Sequence, residues 1–160
     1  MKEIKIKSDS VSLTKKIAEK FAPVFLKEYF FKNKTQAIIF KGNLGAGKTA
    51  FILGFLNYFG VKPKAASPTF VIMKKYRPLK NFKYKNQKIE NIYHLDAYRL
   101  NSKKDLEVLG FEDILKNPQN MILIEWPEKI KGAELKNKIP IKIDYGKKEN
   151  ERIIYLKIKK

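Results

Sequence analysis

The chain has 160 residues, no cysteine and a formal net charge of +19. That length buries one core without staples, so residues 1–160 are read as a single domain, and the lack of cysteine excludes a disulfide framework or a thiolate metal site. The opening MKEIKIKSDS carries charges where a signal peptide needs an apolar core, and no window reaches the roughly twenty apolar residues of a membrane span, so a cytoplasmic protein is expected.

Taken along the chain, apolar residues at Leu13, Ile17, Phe21, Phe25 and Leu26 are spaced for one face of a helix over Val11 to Phe31, with Ser10 or Ser12 as N-cap. Gln36 to Phe40 reads as a short buried strand. A helix over Thr49 to Phe59 follows, with Ile52, Phe55, Leu56 and Phe59 inward and Gly60 as its stop. Further strands are expected around Phe70 to Tyr76, Ile89 to Leu95 and Met121 to Ile124, and short helices over Lys103 to Leu109 and Glu112 to Leu115. The basic, apolar-poor segment Pro78 to Lys88 reads as a mobile loop joining two paired strands. Ile139 to Tyr145 and Arg152 to Ile158 alternate around Gly146 to Asn150 as a hairpin does. Strands alternating with helices predict an α/β fold, a three-layer α/β/α sandwich around a mixed sheet with antiparallel edge hairpins.

Gly42-Asn43-Leu44-Gly45-Ala46-Gly47-Lys48-Thr49 satisfies the P-loop pattern G-x-x-x-x-G-K-[ST] in full. The glycines let backbone N–H groups close on phosphate oxygens, and the helix that follows adds its N-terminal dipole. Lys48 is suited to the β- and γ-phosphates and Thr49 to Mg²⁺. A β-run before the loop and an amphipathic helix after it supply the context the motif needs, so ATP or ADP with Mg²⁺ is the expected ligand.

A P-loop also needs an acid at the C-terminal end of a neighbouring strand to hold Mg²⁺ or its water. The continuous apolar run Met121 to Ile124, typical of a strand buried on both faces, ends in Glu125. Ile92 to Leu95 ends in Asp96, at the edge of a more alternating and so more exposed strand. Either acid serves. His94, the single histidine, reads as structural, packing under the sheet or bonding a neighbouring strand. Trp126, ahead of Pro127, is as well suited to packing as to a ligand, and Ser67-Pro68-Thr69 reads on chemistry alone as a turn.

The charge is almost all Lys, with Arg77, Arg99 and Arg152 the three arginines, in a chain also rich in Ile, Asn and Phe. These Lys, Ile, Asn and Phe codons are AT-rich, so coding composition accounts for the excess; the other reading is an RNA-associated role, since a basic protein is held near RNA at low salt. Two further functions share some of these features. A small-molecule P-loop kinase needs an Arg-rich lid over the transferred phosphoryl group, for which three arginines are little material. A non-enzymatic RNA-binding module needs interleaved aromatics in a recognised motif, and none is found.

Together the motifs resemble the bacterial TsaE (YjeE) family, ATPases of tRNA threonylcarbamoyladenosine synthesis. The resemblance spans most of the chain and rests on Gly42 to Thr49 with Phe51 following, Ser67-Pro68-Thr69-Phe70, His94-Leu95-Asp96-Ala97-Tyr98-Arg99-Leu100, Leu106-Glu107-Val108-Leu109-Gly110 and Ile124-Glu125-Trp126-Pro127-Glu128. It implies an ATPase subunit working with TsaD and TsaB, with tRNA reached through that complex, whose hydrolysis resets the complex rather than driving the transfer. Carried over by position, Lys48 and Thr49 bind phosphate and Mg²⁺, Asp96 sits in the catalytic cleft, Glu125 completes the metal site and Trp126 lies beside them. The resemblance further implies that Thr69 belongs to a switch-like loop and that Thr14 and Arg152 approach the nucleotide. The Lys-rich segment Pro78 to Lys88 departs from the family pattern.

Overall fold

The computed structural model describes residues 2–29, 36–63, 72–79, 82–84, 87–100, 102–130, 135 and 138–158. Ser67-Pro68-Thr69-Phe70, and with it the Thr69 expectation, lies outside the described residues. Lys2–Ser8 (β1) alternates exposed charge with half-buried Ile4 and Ile6, a strand that the sequence reading did not assign. Val11–Tyr29 (α1) follows, and the Ser10 hydroxyl accepts from Leu13 N at 3.1 Å, so Ser10 rather than Ser12 caps the helix. Its buried stripe runs through Thr14, Ala18, Phe21, Ala22, Phe25 and Leu26. Leu13 and Ile17, expected inward, are half-buried, with Ile17 packed against the edge of the core.

Gln36–Lys41 (β2) leads through the glycine-rich loop into Lys48–Tyr58 (α2), which stops at Gly60 with Gly60 N donating to Asn57 O and Val61 N to Leu56 O. Met73–Tyr76 (β3) pairs antiparallel with Asn91–Asp96 (β6), as the expected pair of strands does. Between them Lys83–Tyr84 (β4) and Gln87–Lys88 (β5) form a small antiparallel pair. Of the expected loop over Pro78 to Lys88, the described residues thus hold a short strand pair between β3 and β6. Leu79 N donates to Phe59 O, and the Phe82 ring packs 5.7 Å from that of Tyr58 and 4.8 Å from that of Phe59, so one backbone bond and one aromatic side chain tie these described residues to the end of α2.

Lys103–Val108 (α3) and Phe111–Lys116 (α4) precede Asn120–Glu125 (β7), whose residues are all buried. Lys138–Tyr145 (β8) and Arg152–Ile158 (β9) close the chain as the expected hairpin. Among the described residues the main sheet has the order β1-β9-β8-β2-β7-β6-β3. Strands β8, β2, β7 and β6 run parallel and the flanking pairs are antiparallel.

One face of the sheet packs on α1 and α2 through Phe21, Phe25, Phe40, Phe51, Phe55 and Phe59. The other packs on α3 and α4 through Leu106 and Phe111 against Ala37, Ile39, Ile122 and Ile124. Two cores on two faces make the three-layer α/β/α sandwich that the sequence predicted. No helix among the described residues is long and apolar enough to cross a membrane.

Candidate active site

The parallel strands bring their C-terminal ends to one edge, where an open α/β sheet ordinarily binds its ligand. Phe40 of β2 pairs with Glu125 of β7, and Glu125 in turn pairs with Asp96 of β6. Both candidate acids therefore stand beside the loop that leaves β2. Gly42 begins that loop with φ +145°, and a Cβ there would meet Ile143 O at 2.1 Å, so only glycine lets the chain turn this close to β8. Phe51 N donates to Gly47 O as a regular helical bond. The N–H groups of the α2 first turn, ahead of that bond, have no carbonyl within the helix to meet and suit an anion.

Lys48 is only 4 % exposed. Its Nζ donates to Gly42 O at 2.7 Å and Asn43 O at 2.9 Å, and lies 3.8 Å from the centre of the Trp126 ring. Burial lowers its pKa from the ordinary lysine value, and the charges of Glu125, Glu128 and Asp96 oppose that shift. The ammonium thus sits under an aromatic lid, satisfied by loop carbonyls that an anionic ligand can replace. Trp126 holds this place from a left-handed backbone, φ 58°, and packs its ring 5.1 Å from Tyr98.

Behind Lys48, the Thr49 hydroxyl donates to the Glu125 carboxylate, 2.8 Å from Oε1 and 3.1 Å from Oε2. His94 Nε2 lies 2.9 Å from Oε1, and as the N–H tautomer it donates there as well. Glu125 and His94 are both 3 % exposed. The reading of His94 as bonding a neighbouring strand is met, and its partner is the candidate metal acid itself. Asp96 is less enclosed, and its Oδ1 accepts from Tyr98 N at 3.1 Å, capping the short 3-10 turn Ala97–Arg99. Its strand is nonetheless buried from Ile92 to Leu95. This corrects the more exposed strand expected for Asp96, and the reason is that cores cover both faces of β6, with Ile92 in one and Tyr93 and Leu95 in the other.

The hard oxygen donors Thr49 and Glu125, with Asp96 alongside, fit Mg²⁺, which ordinarily takes one or two protein carboxylates beside phosphate and water. Among the described residues no three His, Cys, Asp or Glu converge as a preformed cage.

On the other side of the loop Gly45, Gly47 and Ala50 face Asp9, Ser10, Val11, Thr14, Asn150 and Arg152 across a cleft of about 220 Å³. Thr14 and Arg152, implied only by the resemblance, are therefore beside the P-loop. Ser8 Oγ donates to Ser10 O at 3.0 Å, so in the 2.8 Å bond between Ser8 and Thr14 the Thr14 hydroxyl is the donor. Arg152 donates to Glu149 O, Glu151 O and Gly45 O. Arg77, by contrast, follows the Tyr76 end of β3, which pairs with Ile92 at the opposite end of β6 from Asp96. Asp9, Asn150 and Tyr145, whose hydroxyl donates to Leu44 O, escaped the sequence reading. Tyr145 and Asn150 come near the loop through β8 pairing with β2, and Asp9 through β1 pairing with β9, neither of which leaves a local pattern.

The family model for the threonylcarbamoyl adenosine biosynthesis protein TsaE matches residues 8–154. The chain belongs to the TsaE family. It is 34 % identical over 130 residues to the tRNA threonylcarbamoyladenosine biosynthesis protein TsaE of Haemophilus influenzae, covering 81 % of this chain and 75 % of that one. Against the TsaE protein of Rickettsia prowazekii the identity is 36 % over 119 residues, covering 74 % and 73 %. The Bacillus subtilis TsaE protein is 28 % identical over 155 residues, covering 97 % and 86 %. Among solved structures, Bacillus subtilis YdiB superposes with a TM-score of 0.67 at 26 % identity, covering 98 % of this chain and 86 % of its own. The TsaE match contains the whole of the loop, both candidate acids, Trp126, Thr14 and Arg152. The chain is thus a TsaE-family protein of tRNA threonylcarbamoyladenosine biosynthesis with an α/β fold.

Proposed function

We propose that this chain is a cytoplasmic ATPase that binds and hydrolyses Mg·ATP in support of a TsaB–TsaD complex, which forms N6-threonylcarbamoyladenosine beside the anticodon of tRNA. The observation that carries this reading is the bond from Thr49, at the end of a complete P-loop, to buried Glu125. It joins the phosphate-side and metal-side residues in one unit. Mg²⁺, when bound, neutralises charge on the phosphates.

The residues divide the remaining work. The loop amides and the α2 N-terminus receive phosphate oxygens, and Lys48 exchanges the Gly42 and Asn43 carbonyls for them. Thr49 and Glu125 present oxygens toward the metal side, His94 steadies Glu125, and Asp96 stands across from it to orient an attacking water. The cleft lined by Thr14 and Arg152 accepts the nucleoside end.

Hydrolysis by the isolated chain is slow in this scheme. The Arg152 guanidinium is occupied by three backbone carbonyls, Arg77 lies at the far end of the sheet, and Arg99, in the turn that Asp96 caps, is assigned to bracing that acid. Charge developing on the γ-phosphoryl group is therefore under-stabilised, and an arginine finger is worth about 10³–10⁵ in rate where one is present. TsaB–TsaD completes the site.

Melting curves and phosphate release test the proposal together. At 100 times its dissociation constant, Mg·ADP stabilises by about 2.7 kcal/mol, which raises Tm by about 5–10 °C in a domain of this size. Lys48→Ala removes most of that rise. Phosphate release at saturating ATP and moderate salt is slow alone and accelerated by TsaB–TsaD. An unmoved melting transition refutes nucleotide binding, and fast turnover indifferent to the partners points instead to a self-contained kinase or ATPase.

A further inference from the structure

The tip of the P-loop has no side-chain anchor. Asn43, Leu44 and Gly45 are all exposed, Leu44 by 71 %, so the apolar burial that holds Ala46 in the core does not reach the tip. Its backbone is gripped from outside. Tyr145, the last residue of β8, donates its hydroxyl to Leu44 O, and Arg152, the first of β9, donates Nη2 to Gly45 O at 3.2 Å. The contact is close: Gly45 has φ +74°, and a Cβ there would lie 2.8 Å from Tyr145 Oη.

These two carbonyls matter because a trans peptide is planar, with its C=O and the next N–H pointing in opposite directions. Holding Leu44 O toward the hairpin turns the Gly45 N–H away from it. Holding Gly45 O does the same for the Ala46 N–H, which donates to Asn43 O at 3.1 Å and closes the turn. The grip is itself braced. Arg152 stacks 4.6 Å from the Tyr145 ring centre and donates Nη1 to Glu149 O and Glu151 O. Gly146 N donates to Glu151 O, and the Glu151 carboxylate meets Lys7 of β1 at 2.6 Å.

We infer that the β8–β9 hairpin presets the phosphate-binding shape of the loop, with Tyr145 and Arg152 as positioning residues that aim its amides before any ligand arrives. The inference rests on the nucleotide-binding reading of the loop. Preorganisation of this kind acts on affinity, because an amide already aimed costs no ordering when the phosphate binds. Arg152 accordingly serves the nucleotide through the loop backbone.

The test is calorimetric titration of Mg·ADP into the wild-type chain, Tyr145→Phe and Arg152→Lys, with ¹H–¹⁵N spectra of the ligand-free proteins. Tyr145→Phe keeps the ring under Arg152 and removes only the hydroxyl. It weakens ADP binding about three- to tenfold, the worth of one net hydrogen bond, and moves the Gly45 amide resonance in the ligand-free protein. Its melting temperature stays within about 2 °C of wild type, since Tyr145 is half-exposed. Arg152→Lys keeps the charge, loses the planar fork and the stack, and weakens binding as well. The two losses do not add, because both residues act on one loop. Wild-type ADP affinity and an unmoved Gly45 amide in Tyr145→Phe overturn the inference. A wild-type chain that binds no ADP overturns the nucleotide reading itself, a distinct result visible without any variant.

Discussion

Gly54→Ala tests how the two helices on the P-loop face of the sheet, α1 and α2, are held together. A Cβ at this position would lie 2.2 Å from Lys15 O, 2.5 Å from Lys15 Cα and 2.7 Å from Lys15 C. Ordinary contact begins near 3.4 Å, so α1 and α2 must part by about 1 Å to admit one methyl group. The obstacle is helix backbone, which has no rotamer to turn aside. Overpacking of this kind costs about 1–3 kcal/mol, and Ala in place of Gly returns about 1 kcal/mol of helix propensity. With main chain as the obstacle the cost falls at the upper end, leaving a net loss of about 2 kcal/mol. Tm then falls by about 4–8 °C. The same separation widens the cleft between Thr14 of α1 and Ala50 of α2 and so weakens Mg·ADP binding. Circular-dichroism melts with ADP titrations measure both. A Tm unchanged or raised, as the propensity gain alone dictates, refutes the close-packing argument.

Two further perturbations address the acids. Glu125→Gln and Asp96→Asn each reduce phosphate release by about a hundredfold, with a smaller effect on ADP affinity. Hydrolysis near the wild-type rate in either variant reassigns that residue to structure and leaves the other as the metal-side acid. Glu151→Gln probes the brace behind the hairpin: the bond from Lys7 holds the Glu151 carboxyl below the usual carboxylate range. A carboxyl so lowered contributes stability above its unfolded pKa and loses it as pH falls through the folded value. The Tm gap between wild type and Glu151→Gln is therefore present at neutral pH and closes in acid. A gap that persists unchanged at the acid end refutes the ion-pair account.

Much of this protein is legible in its sequence. The P-loop and the helix stop at Gly60 are local events, written in the conformational range of glycine and the spacing of a few residues, and both are found where they were read. The strand over Met121 to Ile124 was legible because a continuous apolar run can be satisfied only by burial on both faces, and β7 is buried throughout. The partners of these elements were not legible. Thr49 and Glu125 are separated by 76 positions and meet because β2 and β7 pair in parallel with Phe40 opposite Glu125. Nothing in either segment specifies that register alone, since it minimises the exposed apolar surface of the whole sheet.

The same holds at the edges. The alternation in Lys2–Ser8 is short and its apolar residues are only half-buried, so it becomes a strand by pairing with β9. The Pro78 to Lys88 segment reads as loop because its aromatic anchor Phe82 is isolated in the chain and finds the rings of Tyr58 and Phe59 only in three dimensions. The sequence by itself determined the P-loop, the elements on either side of it and the family. Tertiary structure alone decided that Glu125 is the acid bonded to Thr49, that His94 supports it, and that Tyr145 and Arg152 grip the loop. Local geometry depends on residues a few positions apart, whereas these contacts depend on which strands lie side by side, a choice made by the burial of both sheet faces at once.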